Sequence, residues 1–114
     1  MIKVSVMYPH REGARFDFEY YLATHTPLVL ERLGAACKRC TVDKGLAQMR
    51  PAAPPLHVAI CHLEFESLEA FQAAFAPHAA EITADAANYT DISPVSQLSE
   101  TSVIIDAAQS GRRE

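Results

Sequence analysis

The sequence predicts an α+β domain, with one four-stranded antiparallel sheet carrying helices on one of its faces, and three observations point there. Four segments read as strands, the first and third with period-2 alternation of apolar and polar residues, two segments repeat apolar residues at helical spacing, and the order along the chain is βαββαβ. A chain of 114 residues is one domain. It buries roughly two-thirds of its unfolded surface around a single core.

Ile2, Val4, Val6 and Tyr8 alternate with Lys3, Ser5 and Met7, a half-buried strand that Pro9 ends. The stretch His10 to Arg15 is a polar loop around Gly13, after which Asp17 is placed to cap a helix. Phe18, Tyr21, Leu22, Val29 and Leu33, with His25 and Leu28 between them, share one helical face, and Gly34 stops the helix. Pro27 falls inside this pattern. Its missing N–H leaves the Ala23 carbonyl without a partner and predicts a kink beside His25.

Ala36 to Gly45 reads as the second strand, edged with Lys38, Arg39, Asp43 and Lys44 against unwanted pairing. Prolines 51, 54 and 55 make Gln48 to Pro55 a loop. In the third strand, Leu56 to Phe65, the apolar set Ala59, Cys61, Leu63 and Phe65 is expected to face the helices, with Val58, Ile60, His62 and Glu64 opposite. Ser67 caps a helix with a stripe of Leu68, Phe71 and Phe75, Pro77 interrupts it, and helix resumes from His78 to Ala87. Thr90 to Glu100 reads as the fourth strand, with Pro94 marking an edge or a bulge. This is the split βαβ arrangement of ferredoxin-like domains. The domain is expected over residues 1–100, followed by a tail over 101–114.

Such a sheet leaves one face bare, here carrying Val58 and Ile60 beside Ser5, Met7 and His62. Pairing two copies across that face buries it and encloses a space, so a homodimer is expected. The apolar stretch Ser102 to Asp106 is a further expected contact with the partner subunit.

Hydrophobic residues make up 49% and charged residues 21%, at a formal charge of −4, which describes an ordinary globular protein. With no basic cluster inside the fold, nucleic acid is not an expected partner, and the Arg112–Arg113 pair is too small to change that. The N-terminus shows strand alternation rather than a signal peptide, and no stretch is long enough to span a bilayer. Three cysteines, Cys37, Cys40 and Cys61, form an odd count that fits reduced thiols, so a cytoplasmic location is expected. Cys37 and Cys40 spell C-x-x-C, but in a strand residues three apart point to opposite faces, and buried or spare thiols are the reading preferred.

His25 is the first candidate for chemistry, since Pro27 interrupts the helix next to it and Tyr20 and Tyr21 precede it. Histidine, with an unperturbed pKa near ~6.5, is the natural proton shuttle at neutral pH. The alternative is a structural histidine bonding a carbonyl. His62 is the second candidate, on the open face with Glu64 two residues on; a surface or interface histidine explains it equally well. His57 and His10 read as solvated, and His78 with Glu81 reads as a helix-start pair. Recognised metal-ligand spacings, a nucleophile elbow and phosphate loops are missing from the sequence, so neither metal nor cofactor is expected.

Several segments together resemble the EthD family, called after a protein of ethyl tert-butyl ether degradation. They are Ile2 to Pro9, Phe16-Asp17 leading to Tyr20-Tyr21-Leu22, His25-Thr26-Pro27-Leu28, Phe71 to Phe75 through His78 to Ile82, and Asn88 to Ile92 before Pro94-Val95. The resemblance runs from Met1 to about Glu100. It implies a dimeric α+β barrel, similar to antibiotic-biosynthesis monooxygenases and muconolactone isomerases. It also implies a role in oxidative catabolism, where the namesake accompanies a cytochrome P-450 system and some relatives are cofactor-free enzymes, a methylmuconolactone methylisomerase among them. The family's His-x-Pro-Leu motif carries over to His25, Pro27 and Leu28.

Two functions follow as expectations. The first is a cofactor-free oxidoreductase or isomerase in which His25 acts as acid or base on a small hydrophobic oxygenated compound, an ether, lactone or aromatic. The second is a non-catalytic binding or accessory dimer in the same kind of pathway. Haem ligation by His25 ranks lower, because its contact with the core leaves little room for a macrocycle. The expected site is a cleft between the first helix and the sheet, lined by His25, Tyr21, Pro27 and Leu28 and reached from the open face by His62.

Overall fold

The computed structural model describes residues 1–50 and 52–108. Pro51 of the proline loop and residues 109–114 of the expected tail, Arg112 and Arg113 included, lie outside them. Strand β1 (Ile2–Pro9) is followed by α1 (Phe18–Tyr20), a π-helical turn (Tyr21–His25) and α2 (Thr26–Leu33). Then come β2 (Arg39–Lys44), β3 (His57–Phe65), α3 (Leu68–Phe75), α4 (Ala79–Asp85) and β4 (Val95–Glu100), with short 3-10 turns at the helix ends. The sheet order is β2-β3-β1-β4, antiparallel throughout, which is the ferredoxin-like topology.

The first helical stretch is built by its caps and broken by its proline. Asp17 accepts the Tyr20 N–H at 3.1 Å, satisfying an orphan donor of the first turn. Gly34 ends the stretch at φ 61°, a left-handed conformation where a side chain would be strained. Between them the expected kink takes the form of a π turn. Pro27 has no N–H to give, so a new helix, α2, begins at Thr26 and places Pro27 in its first turn, where no N–H is needed. The Thr26 N–H reaches back five residues to the Tyr21 carbonyl, which also accepts the Thr26 hydroxyl at 2.9 Å. Tyr21 and His25, at the two ends of this turn, are both buried.

Two strands start several residues later than expected, and the other strand ends lie within one residue of the expectation. Residues Gly34–Ala36 form a 3-10 turn, so β2 starts at Arg39 rather than Ala36. Strand β4 starts at Val95 rather than Thr90, because the Thr90 hydroxyl donates to the Arg15 carbonyl at 2.7 Å and accepts the Ile92 N–H at 3.0 Å. Those bonds turn Thr90 and Ile92 into the core instead of the sheet and leave Asp91 exposed, with Thr90 keeping one bridge to Phe16. Pro94 therefore precedes the strand and costs it no ladder bond. Ser67 caps α3 by accepting the Ala70 N–H at 3.0 Å, and a 3-10 turn through Pro77 separates α3 from α4.

The register places Val4 against Leu63, Val6 against Cys61 and Tyr8 against Ala59, and this face of the sheet carries the core. Phe65 and Tyr89 are its most enclosed large side chains. The opposite face pairs Ser5 with His62 and Met7 with Ile60. Beyond the sheet, Val103, Ile104 and Ile105 are exposed.

Candidate functional site

Between the helices and the sheet lies a cavity of about 510 Å³. Its walls are apolar: Val4, Val6 and Leu63 from the sheet, Val29, Leu33, Phe71, Phe75, Ile82 and Ala86 from the helices. Its polar groups include Tyr8, Tyr21, His25 and Tyr89. A mostly apolar pocket with a few convergent polar groups is the usual build of a small-molecule site.

His25 is held by a carboxylate. Its Nδ1 lies 2.8 Å from Asp85 Oδ2, and both side chains are largely buried. Asp85 Oδ1 accepts the Tyr20 hydroxyl at 2.7 Å and the Asn88 amide at 3.0 Å. Burial pushes the Asp85 carboxyl up, but the hydrogen bonds from His25, Tyr20 and Asn88 outweigh it and hold the pKa below its ordinary value. A carboxylate is only an acceptor, so Nδ1 carries the proton and Nε2 is left as the acceptor in neutral His25. The Tyr89 hydroxyl stands 3.4 Å from Nε2, and the Tyr8 hydroxyl 2.6 Å from that of Tyr89. Tyr21 stacks on the imidazole at 5.5 Å and 19°. Burial raises the pKa of Tyr8, Tyr21 and Tyr89, so all three are neutral hydroxyls at physiological pH. The arrangement is an imidazole oriented by a carboxylate, with two phenol hydroxyls beside it, facing an apolar space, which is the geometry acid–base chemistry requires.

The lowered Asp85 pKa sets an acid response. A depressed carboxyl contributes stability in full above its ordinary value, here 3.8, and loses it as pH falls through the native pKa. The melting temperature of the wild type is expected to fall more steeply below pH 3.8 than that of Asp85→Asn, which a thermal-melt series from pH 6 to 2 measures.

Of the five site residues predicted from sequence, the structure brings His25 and Tyr21 together and leaves the other three outside the cavity. His62 lies on the opposite face of the sheet, where Ser5 Oγ is 2.8 Å from its Nδ1 and Asp43 Oδ2 is 3.7 Å from its Nε2. Strand alternation sends Cys61 and Leu63 to the cavity and His62 away from it, so the sheet itself separates the two histidines. Pro27 is exposed and Leu28 half-buried; Pro27 stands in the first turn of α2, directly after the π turn. Asp85, Tyr89 and Tyr8 were missing from the sequence prediction. Asp85 meets His25 across 60 residues of chain, a pairing with no local signature.

Among the described residues, no three of His, Cys, Asp and Glu cluster as metal ligands, and no helix is long and apolar enough to cross a membrane.

The EthD domain profile matches residues 12–93. The chain is 54% identical to an EthD-like protein from Ralstonia eutropha of known crystal structure, over 93% of this chain and 96% of that one, with a TM-score of 0.88. An ethyl tert-butyl ether degradation family protein from Bacillus halodurans shares the fold at 19% identity and TM-score 0.68, over 89% and 98% of the two chains. The fold is shared also with SnoaB, a cofactor-independent oxygenase from Streptomyces nogalater, at 16% identity and TM-score 0.51, over 92% and 95%. No curated protein matches the chain. The profile covers most of the domain and the Ralstonia protein nearly the whole chain, and on that ground the chain belongs to the EthD family.

Proposed function

We propose that the protein is a cofactor-free enzyme of oxidative catabolism that moves a proton on a small hydrophobic oxygenated molecule held in the cavity. The single observation carrying this reading is the Asp85–His25 pair, whose Nε2 faces an apolar space between phenol donors. In this reading Nε2 takes a proton from an acidic C–H or O–H beside a carbonyl or aromatic ring. The Tyr89 and Tyr8 hydroxyls then stabilise the charge that develops on the substrate oxygen. Asp85 stays ionised, fixes the tautomer and stabilises the imidazolium. The first step of an isomerisation and of a cofactor-free oxygenation has this form, and the likeness to SnoaB supports the latter through the fold alone.

The test is a thermal-shift screen with ketones, lactones, phenols and ethers. A ligand at a hundred times its dissociation constant is expected to add about 2.7 kcal/mol of stability. Binding with no proton exchange on any ligand would favour the accessory, non-catalytic role.

The active form in this proposal is a cytoplasmic homodimer of the 1–100 domain, joined through the bare sheet face, with the exposed stretch Val103–Ile105 reaching the partner. Ile60, Met7 and the exposed Val95 give that face its apolar character, whereas Val58 packs against the core. Sedimentation at micromolar concentration is expected to give a dimer, and Ile60→Lys, which sets a charge amid that face, a monomer. A monodisperse wild-type monomer would contradict it.

A further inference from the structure

The mechanism above leaves one group of cavity residues unused, the thiols of Cys40 and Cys61. We infer that Cys40 is a nucleophilic capture site within the cavity, forming a thioether with ligands whose carbon–carbon double bond is conjugated to a carbonyl. The inference deepens the function proposed above, because it rests on a cavity that admits small apolar carbonyl compounds.

The geometry assembles the site from two adjacent strands. Cys40 on β2 pairs with Leu63 and Cys61 on β3 pairs with Val42, so both cysteines project from the helix-facing side of the sheet, and both line the cavity. Cys61 is buried and Cys40 half-buried on the edge strand, which leaves Cys40 the more accessible sulfur. Both are free thiols, and they line the cavity together with Tyr21. Tyr21 stacks on His25, so the thiols and the imidazole face one shared cavity. The neighbouring Cys61 thiol stabilises the Cys40 thiolate against burial and brings its pKa down to about 7, while the same pairing and burial raise Cys61. Cys37 is an internal control: it bonds the Arg39 carbonyl, does not line the cavity, and burial raises its pKa.

The step balances without an oxidant or reductant. The Cys40 thiol releases its proton to water, and the thiolate sulfur adds to the ligand's β-carbon, forming one C–S bond. The carbon–carbon π pair shifts through the conjugation to make an enolate. The α-carbon then takes a proton back from water, and the product is a neutral saturated thioether.

The probe is 2-cyclohexen-1-one, with adducts mapped by peptide mass spectrometry. The expected result is a single adduct on Cys40, with a rate that rises through a midpoint near pH 7 and with protection by the saturated analogue cyclohexanone. The midpoint is the readout, because a thiolate of lower pKa is also a weaker nucleophile and its plateau rate need not be high. Cys61→Ala is expected to move the midpoint up by about one pH unit or more, towards the ordinary thiol range, and Cys61→Ser, which keeps a hydroxyl donor, to restore it. Modification at Cys37 with Cys40 untouched, or a Cys40 midpoint indifferent to Cys61→Ala, would overturn the inference. Cyclohexanone binding to Cys40→Ser, read by thermal shift, reports on the cavity alone. Its loss counts against the proposed function, whereas loss of the adduct with binding retained counts against Cys40.

Discussion

His25→Gln is expected to lower the rate of proton transfer on a cavity substrate by roughly two to four orders of magnitude and to leave the protein folded. Glutamine is near histidine in size and keeps an amide that donates to Asp85, so the carboxylate retains a partner. It has no titrating nitrogen to place where Nε2 stands against Tyr89. His25→Ala removes the same chemistry and also orphans Asp85 Oδ2, adding a stability loss of about 1–3 kcal/mol. Rates and melting temperatures for the two variants separate the roles. Chemistry lost in both with stability lost mainly in Ala describes a base, and stability lost with chemistry kept describes a strut.

Phe65→Ala is expected to cost about 3–5 kcal/mol, a large part of the 5–15 kcal/mol by which domains of this kind are stable. Phe65 has no exposed surface, ends β3 opposite Ile2, and packs its ring 5.1 Å from that of Phe71 on α3. It is the point where the sheet and the second helical stretch are joined, and truncation leaves a void that neither can close without moving the other. Urea denaturation is expected to show a lower midpoint with an unchanged slope, or no folded protein at 37 °C.

How far the sequence announces this structure depends on the range of the interaction. Strand faces are local: Ala59, Cys61, Leu63 and Phe65 were legible as the helix-facing set because alternation is a property of successive residues. Caps are local too, and Asp17, Gly34 and Ser67 each stand where their chemistry predicts. Pro27 predicted a break, but the π turn depends on Thr26 and on what Tyr21 and His25 gain by burial together. The start of β4 was misplaced because the Thr90 hydroxyl makes a choice between sheet and loop that composition does not reveal. The site divides in the same way. His25 and Tyr21 share one helix face and are candidates on local pattern alone, whereas Asp85, Tyr89 and Tyr8 join them only when three separate elements meet. Alternation places His62 on the bare face, where it stands, but nothing in a strand's pattern says that the sheet closes it off from the cleft.

The central claim is that the Asp85–His25 pair moves protons on a molecule in the cavity. Deuterium uptake at the carbons beside the carbonyl of cyclohexanone, followed by NMR in D2O with catalytic amounts of protein, tests it most directly. The account predicts uptake well above the buffer rate for the wild type, a reduced rate for Asp85→Asn, and the buffer rate for His25→Gln. Binding of the ketone to wild type and His25→Gln alike, with equal exchange in both, would contradict it.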